Sequence, residues 1–391
     1  MKILFLCHRI PYPPNKGDKL RAFNILKHLS KNNEIYLVSL YDDKKDKRHE
    51  TALRKYCREV HIFYANPLFS KLKAFFWLLL FRSATAGYFY SGRLGKKTRQ
   101  LARERSFGAV FVCSSSMAQY AADLRAGIKI IDFVDCDSAK WGQYGAFHPF
   151  PASLIFALET RRLSAYEKNV IGKFDHALVT TDMEKRRFSE FVRIDKFTVV
   201  ENGVDVNFFR PIEQASGNKI IFTGAMDYFA NVDGVIIFCR KALPLIRREV
   251  PGADFYIIGP NPVRAIRSLA AIPGVHVTGF VEDLRNYFGK ASVCVVPSFR
   301  IAAGIQNKML EAMASAIPVV TTSAAASSLK AAAYSCISIA DSAEEFARRT
   351  ITLLRDRELA GRMGHSGRRY VEAYHDWGRN LSVLDKMLGT G

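Results

Sequence analysis

The chain has 391 residues, of which 49% are hydrophobic, and it carries a formal net charge of +20. Its length exceeds one ordinary hydrophobic core and predicts two domains, while no apolar run reaches the ~18 residues of a membrane-spanning helix. Seven scattered cysteines without a Cys-x-x-Cys pair disfavour a disulfide framework or a zinc site, and they predict a reducing, cytoplasmic compartment.

Most of the positive charge lies in the first part of the chain. Residues 1–110 contain 23 Lys and Arg against 8 Asp and Glu, an excess of 15 positive charges. Such a one-sided excess predicts an anionic partner, which by charge alone can be a nucleic acid, an anionic lipid or a phosphorylated substrate.

Short apolar segments alternate with helical segments along the first half. Residues 1–7 are too short for a signal peptide and predict a buried first strand. We predict the following strands: 2–7, 34–41, 59–64, 109–113, 128–134, 176–180 and 197–200. The predicted helices of this half are 17–31, 46–57, 94–106, 115–125, 151–172 and 182–190.

The second half repeats this alternation. Its predicted strands are 220–224, 254–259, 275–279, 293–296 and 318–321, and a polar segment rich in Pro and Gly at 206–218 predicts a linker. The pattern indicates an α/β fold of two doubly wound parallel sheets. The predicted domains are residues 1–205, residues 206–370, and a C-terminal segment 371–391.

Several predicted strands of the second half end in glycine, at Gly224, Gly259 and Gly279. Open α/β sheets bind ligands beyond the carboxyl ends of their strands, so two such sheets facing each other would form a cleft for two substrates. The chain has no Gly-x-Gly-x-x-Gly after its first strand and no Walker motif, which argues against a simple dehydrogenase and a P-loop ATPase.

Residues 298–314 are the most informative segment. An apolar strand ends at Pro297, and Gly304 is expected to open an amphipathic helix that runs to about Ser315. A helix N-terminus preceded by a Gly turn favours an anion, because free N–H groups and the helix dipole both attract negative charge. The flanking cations and a carboxylate two turns into the helix suit a nucleotide sugar: Arg300, Lys308 and Glu311.

At this point the chain resembles a known family, the retaining GT-B glycosyltransferases of glycosyltransferase family 4. It is most similar to the sugar transferases associated with bacterial exopolysaccharide and PEP-CTERM/exosortase clusters. The stretches that carry the resemblance cover most of the chain and keep the family's order and spacing: 8–19, 200–205, 222–228, 277–283 and 304–314.

The resemblance implies two Rossmann-like domains, a nucleotide-diphosphate sugar held mainly by the second one, and no metal or other cofactor. It also implies a final helix that crosses back to the first domain, which residues 371–388 would supply. Glu311 matches the second Glu of the family's Glu-x7-Glu motif, whereas the first falls on Ala303, which offers no side chain to a ligand.

The family's usual Gly-Arg pair after the first strand of the second domain is also replaced, by Gly224-Ala225. Neutralisation of the diphosphate is therefore assigned to Arg300 and Lys308, with Arg264 as a further candidate. The full set of predicted donor-binding residues is Gly224, Arg300, Gly304, Gln306, Asn307, Lys308 and Glu311.

The loop of residues 8–19 is the predicted acceptor site. Three prolines stiffen it, and Gly17 before a helix would let a substrate approach the backbone closely. By resemblance this loop lines the cleft, so Arg9, Gly17 and Lys19 are predicted to bind the acceptor and His8 to act on the catalytic side. The alternative is an ordinary Pro-stiffened turn.

Asp135 and Asp137 follow another strand as an Asp-x-Asp pair. We disfavour a metal site here because the donor already has a site in the second domain and hard cations need further oxygen ligands. The two carboxylates are predicted to orient the acceptor or to stabilise positive charge on the reacting sugar. A helix N-cap role for Asp137 is the alternative.

Residues 70–99 are the predicted partner surface. They combine a run of aromatic and aliphatic residues with flanking Lys and Arg, which suits contact with an anionic membrane surface. A buried helix is the alternative, and nucleic-acid binding is disfavoured because the aromatics cluster with aliphatics and no recognition module is present.

The sequence therefore predicts a cytoplasmic enzyme bound peripherally to the inner face of the cell membrane. It would transfer a sugar from a nucleotide-diphosphate donor to a lipid-linked or polysaccharide acceptor, with retention of configuration and without metal. The alternatives are a nucleotide-sugar epimerase on the same fold and a non-catalytic nucleotide-sugar-binding scaffold, the latter suggested by Ala303.

Overall fold

The computed structural model describes residues 1–211, 217–300 and 304–389. The chain divides into two compact units, of which unit 1 comprises residues 1–201 together with the C-terminal residues from Leu381, and unit 2 comprises Asn202–Asn380. The domain bounds derived from the sequence stay predictions, and part of the predicted linker, residues 212–216, lies outside the described ranges.

Unit 1 is built on a seven-stranded parallel sheet with the strand order β3-β2-β1-β4-β5-β6-β7. Its strands are β1 (Lys2–Cys7), β2 (Glu34–Tyr41), β3 (Glu59–Tyr64), β4 (Ala109–Cys113), β5 (Ile128–Val134), β6 (His176–Val179) and β7 (Phe197–Val199). The first five have the predicted bounds. They were predictable because strands buried on both faces of a parallel sheet form continuous apolar runs, and β1 and β4 are buried along nearly their whole length.

The helices of unit 1 follow the strands in chain order. They are α1 (Gly17–Leu29), α2 (Glu50–Leu53), α3 (Pro67–Leu79), α4 (Ala84–Tyr88), α5 (Gly92–Glu104), α6 (Asp137–Ala146), α7 (Ala152–Ile171) and α8 (Asp182–Ser189). The predicted helix 46–57 is shorter than expected, because a 3-10 turn occupies Lys44–His49 and only α2 is α-helical, and the predicted helix 115–125 was wrong in type, because Ser115–Tyr120 is a 3-10 turn.

Unit 2 contains a six-stranded parallel sheet with the order β10-β9-β8-β11-β12-β13. Its strands are β8 (Lys219–Thr223), β9 (Asp254–Ile258), β10 (Val275–Gly279), β11 (Val293–Val296), β12 (Val319–Thr321) and β13 (Ser338–Ile339). Parallel order in both sheets confirms the predicted α/β class with two Rossmann-like sheets. The two-residue β13 was not predicted.

Helices cover both faces of the second sheet. They are α9 (Phe229–Ile237), α10 (Leu243–Glu249), α11 (Arg264–Arg267), α12 (Arg285–Phe288), α13 (Asn307–Ala314), α14 (Ser323–Ala326), α15 (Ala343–Arg355) and α16 (Arg357–Tyr374). A π-helical turn, Phe238–Ala242, joins α9 to α10, and 3-10 turns lie at Ser268–Ala271 and Ala331–Ser335.

The predicted final helix within 371–388 is present but starts later than residue 371. The structure has α16 up to Tyr374 and a separate α17 at Trp377–Met387. The two helices are separated at His375, which is fully buried. Its Nδ1 lies 2.9 Å from the carbonyl oxygen of Asn202, and its Nε2 lies 3.2 Å from the hydroxyl of Tyr370. Within unit 1, His28 of α1 contacts Asp385 of α17 at 3.0 Å.

None of the helices in the described ranges combines the length and the apolarity that crossing a bilayer requires.

Candidate functional site

The carboxyl ends of β8 and β9 in unit 2 approach each other at two glycines. The N–H of Gly224 donates to the carbonyl of Ile258 at 3.0 Å, and a Cβ on Gly259 would lie only 1.8 Å from the Gly224 oxygen. Both glycines have φ +152°, a backbone conformation that residues with a side chain rarely adopt. Only glycine permits this approach, so both residues are needed for the backbone at this sheet edge.

Gly224 also lies beside Lys308, as the predicted donor site requires. A Cβ on Gly224 would be 3.4 Å from Cε of Lys308 and 2.7 Å from Nδ2 of Asn231. Asn231 lies on α9 and was missed by the sequence analysis. Its amide donates to the Ala225 carbonyl at 2.9 Å and accepts from Lys308, so it connects the β8 loop to the lysine.

The helix α13 begins later than predicted. It starts at Asn307, with Gln306 in an extended conformation before it, and Gly304 lies upstream with φ +58°. The prediction that Gly304 opens the helix was therefore wrong. Gly304 adopts the left-handed conformation, which is easy for glycine. The chain therefore turns at residue 304, and the helix starts three residues later. Ala303, where the first Glu of the family motif would fall, lies outside the described residues.

Lys308 occupies the first turn of α13. Its Nζ donates to the side-chain oxygens of Asn231 at 3.1 Å and Gln306 at 3.0 Å, and it lies 5.1 Å from the ring centroid of Phe222. These hydrogen-bond partners are neutral amides. Loss of solvent around the ammonium lowers the pKa of Lys308 to about 8.

Glu311 follows one turn later on the same helix. Desolvation raises the pKa of its carboxyl to about 7, although the nearby charge of Lys308 acts in the opposite direction. Desolvation thus shifts the pKa of both Lys308 and Glu311 towards the neutral form. Such shifts are typical of a site in which a ligand supplies the missing polar contacts.

The other predicted donor residues differ in their contacts and exposure. Arg300 pairs with Asp233 of α9 at 3.1 Å and is half exposed. Asn307 accepts a hydrogen bond at 3.0 Å from Nδ2 of Asn202, a buried residue of the 200–205 stretch. Arg264 is exposed at the start of α11.

In unit 1 the predicted loop brings His8 and Arg9 together through Asp18. Nε2 of His8 lies 3.0 Å from Oδ2 of Asp18, and Nη1 of Arg9 donates to the same oxygen at 2.8 Å. Arg9 also donates to Asp42 at 3.3 Å. Burial alone would raise the pKa of Asp18, but His8 and Arg9 outweigh it and hold that pKa well below its usual range.

The two other predicted acceptor residues have different surroundings. Gly17 is the first residue of α1, which it opens without a side-chain cap. Lys19 is buried, and its Nζ pairs with Asp46 at 2.6 Å. The ammonium of Lys19 is therefore neutralised inside unit 1.

A group of carboxylates surrounds the N-terminus of α6. Asp135 accepts from Oγ1 of Thr180 at 3.0 Å, and burial raises its pKa. Glu184 accepts from the Cys136 amide at 2.7 Å, and burial and Asp135 raise its pKa to about 7. The proposed N-cap role of Asp137 was wrong, because Cys136 occupies the cap and Asp137 is the first helical residue.

Glu167 belongs to the same group and was missed. It is fully buried on α7, accepts from Oγ of Ser138 at 2.6 Å, and has a pKa raised to about 8, mainly by burial. Its signal in the sequence was its position, because Glu159, Leu163 and Glu167 repeat every four residues on the buried stripe of α7. Within the described ranges, no three His, Cys, Asp or Glu side chains form a metal-binding group.

A buried ion pair supports this edge of the first sheet. Arg21 on α1 donates to both carboxylate oxygens of Asp132 on β5, at 2.7 and 2.9 Å, and to the Val200 carbonyl at 2.7 Å. Both side chains are 1% exposed. The pair connects α1, β5 and the residue that follows β7. It was not predicted from the sequence.

The predicted partner surface centres on α3. This helix fully buries only Ser70, while Leu68 is 71% exposed and Phe81, just after the helix, is 84% exposed. The alternative of a buried helix was therefore wrong. Trp77 instead packs inward, since a Cβ on Gly87 would lie 2.6 Å from its ring. The exposed apolar residues of this α3 surface are Leu68, Phe69, Leu72, Phe75, Phe76, Leu79, Leu80 and Phe81.

Comparison with known proteins gives matches to glycosyltransferases. Residues 217–356, within unit 2, match the family described as "Glycosyl transferases group 1". A GDP-mannose-dependent alpha-(1-6)-phosphatidylinositol monomannoside mannosyltransferase of Mycobacterium tuberculosis is 33% identical over 150 residues, which are 35% of this chain and 39% of that protein. The match therefore spans about two-fifths of the length of this curated relative.

Solved structures match over the whole chain. The Anabaena protein HepE, in complex with UDP and glucose, superposes with a TM-score of 0.70 at 14% identity and covers 100% of both chains. Sucrose-phosphate synthase from Thermosynechococcus elongatus superposes with a TM-score of 0.74 at 14% identity, covering 99% of this chain and 98% of that one. At such identities the likeness shows the fold, and the predicted GT-B architecture is confirmed.

Proposed function

We propose that this chain is a glycosyltransferase that binds a nucleotide-diphosphate sugar at the carboxyl edge of the unit 2 sheet. The observation that carries the proposal is the juxtaposition of Gly224, Lys308 and Glu311. The glycine lets a ligand approach the backbone closely, and the desolvated lysine suits a diphosphate. The desolvated carboxylate suits the hydroxyls of the attached sugar. The family match over unit 2, the nucleotide-sugar dependence stated for the mycobacterial relative and the UDP bound to HepE support this reading.

In this proposal Lys308 and the first amides of α13 bind the diphosphate. Negative charge builds up on the departing diphosphate during transfer, so a cation and N–H groups fixed at that position stabilise the transition state more than the ground state. The sugar remains bound by Glu311, whose carboxylate accepts hydrogen bonds from hydroxyls of the sugar or the ribose. Binding of the anion also restores the full charge of Lys308.

Unit 1 supplies the acceptor site in the same proposal. His8 and Arg9, held by Asp18, lie at the end of β1, and Asp135 follows β5. Arg9 suits an acceptor phosphate, while His8, Asp135 and Asp137 provide groups that can orient a hydroxyl or stabilise positive charge. We assign as acceptor a lipid-linked or polysaccharide chain in exopolysaccharide synthesis, with retention of configuration and no metal or other cofactor.

A panel of UDP- and GDP-sugars tests the donor assignment. The unfolding temperature should rise with at least one nucleotide sugar, because a ligand that binds only the folded state stabilises it. NMR of the product with a lipid-linked acceptor should show the donor's anomeric configuration, and transfer should persist in EDTA. Absence of any shift across the panel would contradict the assignment.

Two other results of the same assay would replace the proposal. An epimer formed from the donor without acceptor would identify a nucleotide-sugar epimerase. Donor binding without turnover on any acceptor would identify a non-catalytic scaffold, as the lack of a side-chain carboxylate at Ala303 suggests.

We further propose that residues 70–99 dock unit 1 on an anionic membrane from the cytoplasmic side, as a peripheral contact. The chain between Glu59 and Glu104 contains eight Lys and Arg and no Asp or Glu. Beside the α3 surface, these cations favour anionic lipid headgroups while the aromatics enter the boundary of the acyl chains. Changing Phe75 and Phe76 to Ser should release the protein from anionic vesicles in a flotation assay.

A further inference from the structure

A second exposed apolar cluster lies outside residues 70–99. It occupies the turn between α6 and α7 and the first two turns of α7, where the sequence predicted only an ordinary helix. Its residues are Phe147, Phe150, Leu154, Ile155 and Leu158, and Phe150 is 78% exposed. We refer to this cluster as the α7 tip. The fully buried residues of α7 begin only at Glu159, so the first part of the helix packs on the core much less than the rest.

Glu159 and Arg162 hold α7 against the segment that joins α3 to α4. The carboxylate of Glu159 accepts from the Ser83 hydroxyl at 2.8 Å and from the backbone amides of Ala84 and Thr85 at 2.7 and 2.9 Å. A buried carboxylate on one helix thus caps the N-terminus of α4, which directly follows the α3 surface. Arg162 donates to the carbonyl of Leu78, and its guanidinium lies 5.3 Å from the ring centroid of Phe81.

These contacts place the α7 tip beside the α3 surface. Ile155 and Leu158 precede Arg162 by seven and four residues, which corresponds to about 6–10 Å along a helix. Trp141 of α6 reinforces the connection, since its indole N–H donates to Oγ1 of Thr85 at 3.1 Å. The two clusters are therefore linked by side-chain hydrogen bonds, although about seventy residues separate them in the sequence.

Charge selects the kind of partner. The segment between Asp137 and Glu159 contains no Asp or Glu, like the segment between Glu59 and Glu104, and Glu159 itself is buried. Both clusters thus offer apolar side chains without exposed carboxylates of their own, beside the Lys and Arg of the α3 region. This combination fits an anionic lipid surface, where apolar side chains enter the bilayer boundary and cations remain at the headgroups.

We propose that the α7 tip and the α3 surface form one bipartite lipid-insertion surface, in which Glu159 fixes the relative position of the two parts. The proposal rests on the membrane contact proposed above and adds a second insertion element to it. Because insertion strength scales with the apolar area buried, the loss of either part should weaken binding to a similar degree.

The test compares three variants in a sedimentation assay with vesicles of phosphatidylcholine and about one-third phosphatidylglycerol. The first carries F150S, L154S and I155S in the α7 tip, and the second carries F75S and F76S. The control carries F208S and Y334S, which replace exposed aromatics of unit 2. We expect both unit 1 variants to bind at least about tenfold more weakly than wild type, and the control to bind normally.

The outcomes separate the levels of the proposal. Normal binding of the α7-tip variant together with weak binding of the α3 variant would overturn the bipartite surface and leave the α3 contact intact. Wild-type protein that does not sediment with the vesicles would overturn the whole membrane contact. UDP and GDP affinity, measured on the same samples, reports separately on the proposed donor site and should be unchanged in all three variants.

Discussion

Two basic side chains, Arg21 beside the sheet of unit 1 and Lys308 beside the sheet of unit 2, differ in how their charge is balanced. In unit 1, Arg21 donates to both carboxylate oxygens of Asp132, and both side chains are 1% exposed. In unit 2, Lys308 is hydrogen-bonded to two neutral amides, and its pKa and that of Glu311 are shifted towards their neutral forms.

This difference distinguishes a charged side chain that stabilises the fold from one that is suited to bind a ligand. A buried ion pair with full hydrogen bonding is self-sufficient, and its loss is expressed in stability. A desolvated lysine that is hydrogen-bonded to neutral amides gains from an anionic ligand, and its loss is expressed in binding. Substitutions of Arg21 and Lys308 test the two sides of this contrast.

The largest expected effect is on the buried pair of unit 1. Arg21→Met leaves Asp132 charged and buried without its bidentate partner, and should lower the free energy of unfolding of unit 1 by about 3–5 kcal/mol. Hydrogen exchange read separately for the two units would measure this. The double variant Arg21→Met/Asp132→Leu should recover much of the loss, whereas an effect below about 1 kcal/mol in the single variant would contradict a structural role.

Lys308→Gln should show the opposite pattern. Loss of one charge-assisted hydrogen bond to a diphosphate should weaken UDP or GDP binding by about 10–100-fold, while the unfolding temperature stays close to that of wild type because a desolvated charge is removed. Calorimetric titration measures the affinity, and Lys290→Gln, which changes an exposed lysine of unit 2, is the matched control. Equal affinity in the two variants would contradict the site.

The pH dependence of nucleotide affinity sharpens this prediction. Lys308 has a lowered pKa of about 8 in the free protein, and a bound diphosphate favours its protonated form. Binding therefore takes up a proton above pH 8, and affinity should fall as the pH rises further, by up to about tenfold per unit. Titrations between pH 7 and 9.5, as an approximate range, should show this decline in wild type and none of it in Lys308→Gln.

Glu167→Gln should give an effect that depends on pH. Burial raises the pKa of Glu167 from its usual 4.5 to about 8, so the folded state binds more protons than the unfolded state between these values. The free energy of unfolding must then decrease as the pH rises through this window. The Gln variant lacks this contribution and should unfold a few degrees above wild type at pH 8, but not at pH 5. Identical pH profiles in thermal scans would show that Glu167 is charged in the folded protein.

The sequence predicted the features that local pattern determines. Short segments rich in apolar residues predicted the bounds of β1 to β5, most clearly the buried β1 and β4, and Lys308 and Glu311 were named as candidate ligand-binding residues because they follow a strand. These signals are local because a strand buried on both faces must be apolar at every position.

Features that depend on distant contacts were not predictable. The start of α13 depends on the conformations of Gly304 and Gln306, and the burial of Glu159 and Glu167 depends on partners contributed by other helices. The exposure of the α7 tip was hidden for the same reason, because an apolar segment has the same composition whether or not another element covers it.

The most direct test of the central claim is the rate of sugar transfer by Glu311→Gln, with the donor identified by the nucleotide-sugar panel. If Glu311 accepts hydrogen bonds from the donor at the reacting end, the purified variant should keep its unfolding temperature and lose about 100-fold or more in transfer rate. Transfer at a rate close to wild type would contradict the assignment of the donor site to the carboxyl edge of unit 2.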